Sequence, residues 1–384
     1  MQRVNHLLPQ IADPENLREA FLKAARGKRG KAEVLRFAED LDQNLSGMRS
    51  GLLRGDFPVG VFHSFTIRDP KERVIHAAAF AERVLHHAIM NVCEPVFEKV
   101  AIHDSYACRK GKGREAAVDR AAHYCRSYEW FLQMDVRRYF DSIDQGVLNQ
   151  ALRRKFKDGA LLILFERIIG SFEKQAGVGL PIGSLTSQHF ANFYLGPLDR
   201  FAKETLRTPY VRYMDDFVCW SNEGWVLRDF RDKLTKFLRD ALKLEVKESP
   251  RLQRCAQGLN FLGYRILPDH LRLSRRSVRR FRERMRLLDE ALETGEIKPL
   301  EYQQRTACVC AFVAKARSRG LRRHYLSGRD LRARTALTGV ARGTTPPPTR
   351  ARPTATTGGP TTATTTSASA SPLAQSIRVE TRAH

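Results

Sequence analysis

The chain has 384 residues and a formal net charge of +24 at pH 7, with 66 Lys and Arg against 42 Asp and Glu. This positive excess indicates a polyanionic partner such as nucleic acid. We find no apolar run of about eighteen residues and no signal-peptide pattern, which argues against a membrane protein. The 7 cysteines form no CxxC pair and no His/Cys spacing suited to zinc, which favours the reducing cytoplasm of a bacterium or of a phage-infected host.

The first part of the chain predicts helices. Apolar residues recur at helical spacing between charged ones from residue 1 to about residue 57. The residues that form this pattern are Leu17, Phe21, Ala24, Val34, Phe37, Leu41 and Leu45. We therefore expect a helical N-terminal extension over residues 1–57, followed by mixed helices and antiparallel strands over residues 58–270.

An adjacent pair of acids, Asp215 and Asp216, lies inside an apolar and aromatic run. Val, Tyr, Phe and Trp at this density are typical of strands, and the run predicts a hairpin with the acidic pair at its tip. Ionised carboxylates are disfavoured in such surroundings unless a cation or another partner neutralises them. For the pair taken alone, a polar turn is the alternative, because Asp suits turn geometry.

A second apolar strand pattern, upstream of the hairpin, carries Asp135. One Asp on this strand and two on a nearby hairpin would supply three carboxylates for two Mg²⁺ ions about 3.5–4 Å apart. In such a site one ion activates an attacking 3′-hydroxyl and the other neutralises a triphosphate. Phe140 follows Asp135 closely, so its ring could lie beneath the sugar of a nucleotide; core packing is the alternative for Phe140.

A glycine-containing segment, residues 179–188, lies between these two patterns. Gly179 and Gly183 allow the backbone to approach a base pair closely. Gln188 can hydrogen-bond a base edge or a phosphate, and Ile182 affects how firmly a template base is held.

These segments together resemble the reverse transcriptases, over most of residues 65–270 and in the expected order. Asp135 matches the first palm motif, and residues 213–216 match the YxDD hairpin of that family. The segments that resemble the two fingers motifs, the closing palm motif and the primer-contacting hairpin are residues 71–85, 105–113, 242–247 and 261–264.

The resemblance implies a right-hand polymerase of the α+β class, with fingers, a palm built on an antiparallel sheet, and a helical thumb. It implies that Asp135, Asp215 and Asp216 are catalytic and bind two Mg²⁺ ions, with help from the Val136 carbonyl. The nucleotide-binding residues that it implies are Arg73, Arg83, Arg109, Phe140, Ile182, Gln188 and Lys247. The implied primer and template residues are Phe261, Leu262, Gly263 and Tyr264.

Residues 182–188 indicate which group of reverse transcriptases the chain resembles. Most reverse transcriptases carry Pro-Gln-Gly here, whereas Ile182-Gly183 followed by Ser187-Gln188 is similar to the enzymes of diversity-generating retroelements. Those enzymes copy a template RNA with frequent errors opposite adenine and so diversify a target gene. The resemblance also implies the partners: template RNA, an RNA/cDNA duplex, dNTPs and a small, basic, barrel-forming accessory protein. A group II intron, retron or antiphage reverse transcriptase is the alternative within the class, and a catalytically silent RNA-binding scaffold is the alternative outside it.

The last part of the chain predicts a helical thumb and a tail. Over residues 271–335, apolar residues at helical spacing alternate with arginines that could grip a duplex backbone. The apolar residues of this face are Val278, Phe281, Met285, Leu288 and Leu292. Residues 336–384 are rich in Thr, Ala and Pro and predict disorder. A second hypothesis for residues 343–384 is that they are a template repeat translated out of frame.

Overall fold

The computed structural model describes residues 3–68 and 72–327, which divide into two compact units. The first unit extends to Ser277 and the second begins at Val278. The helices are α1 (Leu8–Ile11), α2 (Pro14–Ala25), α3 (Ala32–Glu39), α4 (Leu41–Arg54), α5 (Phe80–Val100), α6 (Gly113–Ser127), α7 (Gln145–Arg153), α8 (Gly159–Gly170), α9 (Leu185–Tyr194), α10 (Gly196–Arg200), α11 (Gly224–Leu242), α12 (Arg275–Glu293), α13 (Pro299–Ala314) and α14 (Arg319–Ser327). Short 3₁₀ turns occur at Tyr139–Ser142 and Cys255–Gln257, and a π-helical turn occurs at Phe201–Thr205.

The strands of the described residues pair in three antiparallel sheets. They are β1 (Phe62–Arg68), β2 (Glu72–Ala78), β3 (Trp130–Asp135), β4 (Tyr210–Tyr213), β5 (Asp216–Ser221), β6 (Arg251–Arg254), β7 (Leu259–Phe261), β8 (Tyr264–Ile266) and β9 (Leu271–Leu273). β1 and β2 form a two-stranded sheet, and β7, β8 and β9 form a three-stranded one. The four-stranded sheet, in the order β4-β5-β3-β6, contains both acidic segments.

The register of the four-stranded sheet brings the acidic segments together. β4 and β5 form the predicted hairpin, in which Tyr213 pairs with Asp216. β3 pairs with β5 so that Asp135 lies opposite Asp216. The predicted architecture of helices with an antiparallel sheet is confirmed, and the end of β3 meets the turn of the hairpin at one end of this sheet.

Helices cover this sheet, which explains why β5 is apolar at consecutive positions. Phe217 and Trp220 on β5 are both fully buried. The Trp220 ring lies 5.0 Å from the ring of Tyr124 on α6. On α11, Leu234 and Leu238 are buried and belong to the same apolar core as Phe217. Each strand position therefore meets apolar surface, whereas a half-exposed strand would alternate.

Helices α1 to α4 lie between Leu8 and Arg54 and share an apolar core with the rest of the first unit. The ring of Phe21 on α2 stacks on Phe37 at 5.8 Å and meets Phe80 on α5 edge-on at 6.1 Å. These helices share one apolar core with the sheet residues Leu132 and Met134. Helical spacing predicts which face of a helix is buried but not which element buries it, so the merged core could not be predicted from the pattern.

The predicted thumb boundary also differs from the structure. Residues 271–273 form β9, which pairs with β8 and so belongs to the first unit. Ser277 is also tied to this unit, because its Oγ donates a hydrogen bond of 2.6 Å to the carbonyl of Gly263. A three-residue strand is too short to give a periodic pattern, so the sequence does not distinguish β9 from the helix that follows it.

The described part of the second unit consists of helices, with most of α12 followed by α13 and α14. Phe281, Met285 and Leu288 on α12 are buried, which confirms the predicted apolar face. Arg282 and Arg284 on the same helix are exposed. Leu288, Ile297 and Tyr302 are the buried residues of a small core in this unit. The predicted tail, residues 336–384, lies outside the described residues.

Candidate active site

The site is built from the end of β3 and the turn between β4 and β5. Asp135 ends β3, and the backbone N–H of the next residue, Val136, donates to the carbonyl of Asp215 at 3.4 Å. Met214, in the turn, has a φ of 57°, a left-handed conformation that few non-glycine residues adopt. The carboxylates of Asp135 and Asp215 are near enough to interact electrostatically.

The electrostatics of the acidic pair indicate that a cation belongs here. Burial, and secondly the adjacent Asp135 carboxylate, raise the pKa of Asp215 to about 6. Burial raises the pKa of Asp216 to about 7, although a hydrogen bond from Gln133 acts in the opposite direction. Both carboxylates are therefore destabilised as anions in the metal-free protein.

Gln133 contacts the acidic pair and was not among the residues that the sequence predicts for this site. Its Nε2 donates to both carboxylate oxygens of Asp216, at 3.0 and 3.2 Å, and to the carbonyl of Asn260 at 3.1 Å. One side chain thus links the third carboxylate to β7. Alternate residues of a strand lie on the same face, so a polar residue two positions before Asp135 is expected beside it. This spacing is the feature of the sequence that could have identified Gln133.

Lys247, which the resemblance implies as a nucleotide-binding residue, lies beside Asp135. Its Nζ forms an ion pair with Asp135 Oδ2, and its backbone N–H donates to the Asp135 carbonyl at 2.9 Å. The other carboxylate oxygen, Oδ1, is buried and accepts no hydrogen bond. A buried oxygen without a donor is costly and is well suited to a cation.

These observations fit a divalent metal held by Asp135 and Asp215. Within the described ranges, no three His, Cys, Asp or Glu side chains are grouped closely enough to enclose an ion by themselves. Mg²⁺ does not need such a cage, because it is usually bound by one or two carboxylates together with substrate phosphates and water. The donor set of buried carboxylate oxygens is therefore appropriate for Mg²⁺.

The raised pKa values predict how stability depends on pH. A carboxyl group whose pKa is above the ordinary 3.8 in the folded state binds its proton more tightly there. Its contribution to the free energy of unfolding therefore falls as the pH rises from about 4 to 7. In EDTA at pH 8, we expect Asp216→Asn to be more stable than the wild type by on the order of 2 kcal/mol, with a smaller difference at pH 5. Thermal unfolding of both proteins measures this, and an equal difference at both pH values would contradict a buried charge at Asp216.

The backbone of the segment that contains Ile182 is hydrogen-bonded to β2. The N–H of His76 on β2 donates to the Ile182 carbonyl at 2.8 Å. The N–H of Leu180 donates to the Phe140 carbonyl at 2.8 Å, which joins this segment to the turn that follows Asp135. Gln188, on α9, accepts a hydrogen bond from the Cys108 thiol at 3.5 Å. The segment that contains Ile182 is thus joined both to β2 and to the turn at Phe140.

Gly183 is required where this segment meets β2. Its φ is +115°, and an added Cβ would lie 2.7 Å from Ile75 Cγ2 and 3.3 Å from the His76 carbonyl oxygen. We expect Gly183→Ala to reduce the free energy of unfolding by about 2 kcal/mol or more, through backbone strain and overpacking.

Gly47→Ala is the matched control for this prediction. Gly47 is exposed within α4, and an added Cβ there meets nothing within 4 Å. This variant should gain about 1 kcal/mol from helix propensity. Denaturant unfolding compares the two variants, and changes of the same sign would contradict the close approach at Gly183.

Two of the three predicted nucleotide-binding arginines already pair with glutamates. Arg73 is exposed on β2. Arg83 Nη2 donates to Glu33 Oε1 at 2.5 Å. Arg109 is more firmly engaged, because it pairs with Glu98 and its Nη1 also donates to the carbonyl of Ser105 at 2.6 Å. A nucleotide contact from Arg83 or Arg109 would require these bonds to be exchanged.

The predicted primer hairpin is a tight turn. Phe261 pairs with Tyr264, and both Leu262 and Gly263 have a positive φ, of 49° and 91°. Two positive φ values in a two-residue loop are typical of a type I′ hairpin. Phe261 and Tyr264 are buried, which leaves the half-buried Leu262 and Gly263 at the tip.

A family model described as reverse transcriptase (RNA-dependent DNA polymerase) matches residues 68–266, which include both acidic segments. The chain belongs to the reverse transcriptase family. Its α+β architecture is accordingly the predicted right-hand polymerase fold. No helix in the part of the chain that is described has the length and hydropathy needed to cross a membrane.

Several curated members of the family are similar at low identity. Nuclear intron maturase 4 of Arabidopsis thaliana is 23% identical over 361 residues, covering 75% of this chain and 43% of the maturase. Protein YkfC of Escherichia coli is 22% identical over 319 residues, covering 69% and 84%. The group II intron-encoded protein LtrA of Lactococcus lactis is 23% identical over 270 residues, covering 51% and 44%. The chain thus spans less than half the length of the maturase and of LtrA.

Among solved structures, a telomerase from Candida albicans in complex with a fragment of telomeric RNA has a TM-score of 0.42 and 11% identity, covering 66% of this chain and 54% of the telomerase chain. An apo telomerase from Candida tropicalis also has a TM-score of 0.42 and 11% identity, covering 56% and 48%.

Proposed function

We propose that this chain is an RNA-directed DNA polymerase that acts by two-metal nucleotidyl transfer. The observation that carries the proposal is the pair of partly buried carboxylates, Asp135 and Asp215, brought together at the end of the palm sheet in a member of the reverse transcriptase family. A fold that served only as a scaffold would gain nothing from buried carboxylates with raised pKa values, because they cost stability.

Asp135 and Asp215, with the Val136 carbonyl, would hold two Mg²⁺ ions. When bound, these ions supply activation of the primer 3′-hydroxyl and neutralise charge on the triphosphate and the leaving pyrophosphate. Lys247 neutralises Asp135 in the free protein. With a metal bound to Asp135, the ammonium group of Lys247 would be free to contact a triphosphate oxygen. Asp216 acts through its charge and its position, which Gln133 fixes.

Nucleotide selection is assigned to Phe140, Ile182 and Gln188. The Phe140 ring is half-buried and its backbone is held by Leu180, so it can offer a fixed edge to the sugar. Ile182 is half-buried in a segment fixed to β2, where it would face the templating base pair. The triphosphate is assigned to three arginines, Arg73, Arg83 and Arg109. Arg83 and Arg109 would reach it only after nucleic acid or nucleotide displaces their glutamate partners.

Template and primer binding is assigned to the basic surface and to the β7–β8 hairpin. The net charge of +24 favours binding to a nucleic-acid backbone. Such binding weakens as the salt concentration rises, because the free energy gained by releasing counterions becomes smaller. Exposed arginines of α12, such as Arg282 and Arg284, would contact phosphates. The tip at Leu262 and Gly263 would contact the primer.

We further propose that the enzyme is the error-prone polymerase of a diversity-generating retroelement in the cytoplasm. Support comes from Ile182-Gly183 with Ser187-Gln188, which replaces hydrogen-bonding side chains near the template base with an apolar one. Apolar contact separates isosteric bases weakly, so misincorporation follows. The partners would then be a template RNA and a small, basic, barrel-forming protein, with RNA bridging the two basic surfaces.

A faithful intron-type reverse transcriptase is the second candidate. It is favoured by the similarity to nuclear intron maturase 4 and to LtrA, each at 23% identity. Sequencing of cDNA made on an RNA template that contains all four bases separates the candidates. The first predicts errors concentrated opposite adenine that change in Ile182 variants, and a uniformly low error rate would reject it in favour of the second.

A further inference from the structure

A fully buried arginine lies next to the catalytic turn. Arg212, on β4, has about 1% of its side chain exposed, and so does its partner Asp199. Arg212 Nε and Nη2 donate to the two carboxylate oxygens of Asp199, both at 2.6 Å. This is the two-point geometry in which a guanidinium orients a carboxylate most firmly.

The remaining donors of Arg212 bind Asn192 and the turn itself. Nη1 donates to the Asn192 side chain at 2.7 Å, and Nη2 donates to the Asn192 carbonyl at 3.1 Å. Nη1 also donates to the carbonyl of Met214 at 3.0 Å. A guanidinium has five N–H groups, and these five bonds use them all.

The bond to Met214 acts where the backbone is strained. Met214 has a φ of 57°, and its carbonyl carbon is bonded to the nitrogen of Asp215. The guanidinium therefore fixes the peptide unit that directly precedes a proposed metal ligand. Asp199 and Asn192 in turn come from α10 and α9, so two helices set the position of the guanidinium.

The backbone of Arg212 is fixed as well. Its N–H donates to the Asp104 carbonyl at 2.9 Å, and its carbonyl accepts from the N–H of Tyr106 at 3.0 Å. The Asp199 carboxylate is held further by the Tyr210 hydroxyl at 2.9 Å. Neither end of the ion pair can move without breaking several bonds, so the guanidinium is a rigid support.

Stability alone does not account for this arrangement. A buried ion pair is often no more stabilising than well-packed apolar residues of similar volume, because both charges lose hydration. Apolar residues could fill the same space, but they could not donate a hydrogen bond to the Met214 carbonyl. The feature unique to the charged pair is therefore its hold on the turn.

We propose that the Asp199–Arg212 pair, with Asn192, positions the catalytic turn so that Asp215 faces Asp135 at the distance that metal binding requires. Arg212 is a positioning residue and contacts neither metal nor nucleotide. The inference rests on the proposed function, because it assigns a role to Asp215 as a metal ligand.

The test replaces the pair by apolar residues in the full chain, as the double variant Arg212→Met, Asp199→Leu. We expect its melting temperature to stay within a few degrees of the wild type. Its affinity for Mn²⁺, measured by electron paramagnetic resonance without nucleic acid, should fall at least about 10-fold. The rate of single-nucleotide incorporation on an RNA template should fall at least about 30-fold.

The control is the double variant Arg153→Met, Glu166→Leu. This pair joins α7 to α8, with Arg153 Nη2 2.5 Å from Glu166 Oε1, and it lies outside the catalytic turn. Its Mn²⁺ affinity and incorporation rate should match the wild type. If the Arg212→Met, Asp199→Leu protein fails to fold, Arg212→Lys replaces it, because an ammonium keeps the charge but cannot reach all three partners.

The outcomes separate the two proposals. Folded Arg212 variants with Mn²⁺ affinity and rate within about 3-fold of the wild type would overturn the positioning role. The second outcome is that the wild type binds Mn²⁺ through Asp215, the Arg212 variants bind it more weakly, and the wild type synthesises no DNA. That result would support the positioning role and overturn the proposed polymerase activity.

Discussion

Asp215→Asn is expected to reduce RNA-templated DNA synthesis by at least about three orders of magnitude. The substitution keeps the shape of the side chain and removes the charge that pairs with Asp135 around the metals. Metal-ion stabilisation of a phosphoryl-transfer transition state is worth several kcal/mol, and about 4 kcal/mol corresponds to a 10³-fold change in rate. The rate of single-nucleotide incorporation on a preformed primer–template at saturating Mg²⁺ measures the loss.

The same variant should keep its fold and its nucleic-acid binding. Removing a buried carboxylate with a raised pKa relieves a cost in the metal-free protein, so the melting temperature in EDTA should not fall at pH 8. Asp229→Asn is the control, because Asp229 pairs with Lys233 on the surface of α11 and such pairs contribute little. Near-normal incorporation by Asp215→Asn would remove Asp215 from the catalytic site.

Phe140→Ala is expected to reduce discrimination against ribonucleotides about 100-fold. Discrimination here is the kcat/KM for a dNTP divided by the kcat/KM for the corresponding rNTP. The ring is held against Tyr139, with centroids 5.7 Å apart and planes at 66°. Its removal leaves room for a 2′-hydroxyl, and about 2.7 kcal/mol of selectivity corresponds to the stated ratio. Steady-state incorporation of matched dNTP and rNTP on one template measures the change.

Tyr139→Phe is the control for this prediction. It removes only a buried hydroxyl that donates to the Ala191 carbonyl, so it should affect stability and leave sugar selection unchanged. Phe140 also packs against the main apolar core. If Phe140→Ala loses stability and its sugar selectivity does not change, Phe140 is a core residue and does not select the sugar.

The acidic hairpin could be predicted from the sequence because its information is local. Strand-forming residues on both sides of Asp215 and Asp216 allow few other structures, and the apolar context makes the charges conspicuous. The meeting of Asp135 with this hairpin required a pairing of strands far apart in the chain, which the resemblance to a known family supplied.

The partners of single charged residues could not be predicted in the same way. Arg83 pairs with Glu33 across 50 residues of sequence, and Arg212 pairs with Asp199 across 13 residues that include a π-helical turn. Periodicity reports whether a position is buried but not what lies opposite it. An arginine in an otherwise apolar strand, as at Arg212, was an indication of a buried partner that the pattern alone did not identify.

The most direct test of the central claim is extension of a DNA primer on an RNA template by the purified full-length chain in a Mg²⁺ titration. The wild type should incorporate complementary dNTPs with a saturable dependence on Mg²⁺, and EDTA should abolish the reaction. Asp135→Asn should show no comparable incorporation at any Mg²⁺ concentration while still binding the primer–template. Incorporation that is independent of Mg²⁺, or equal in the wild type and Asp135→Asn, would contradict a metal-dependent polymerase centred on Asp135 and Asp215.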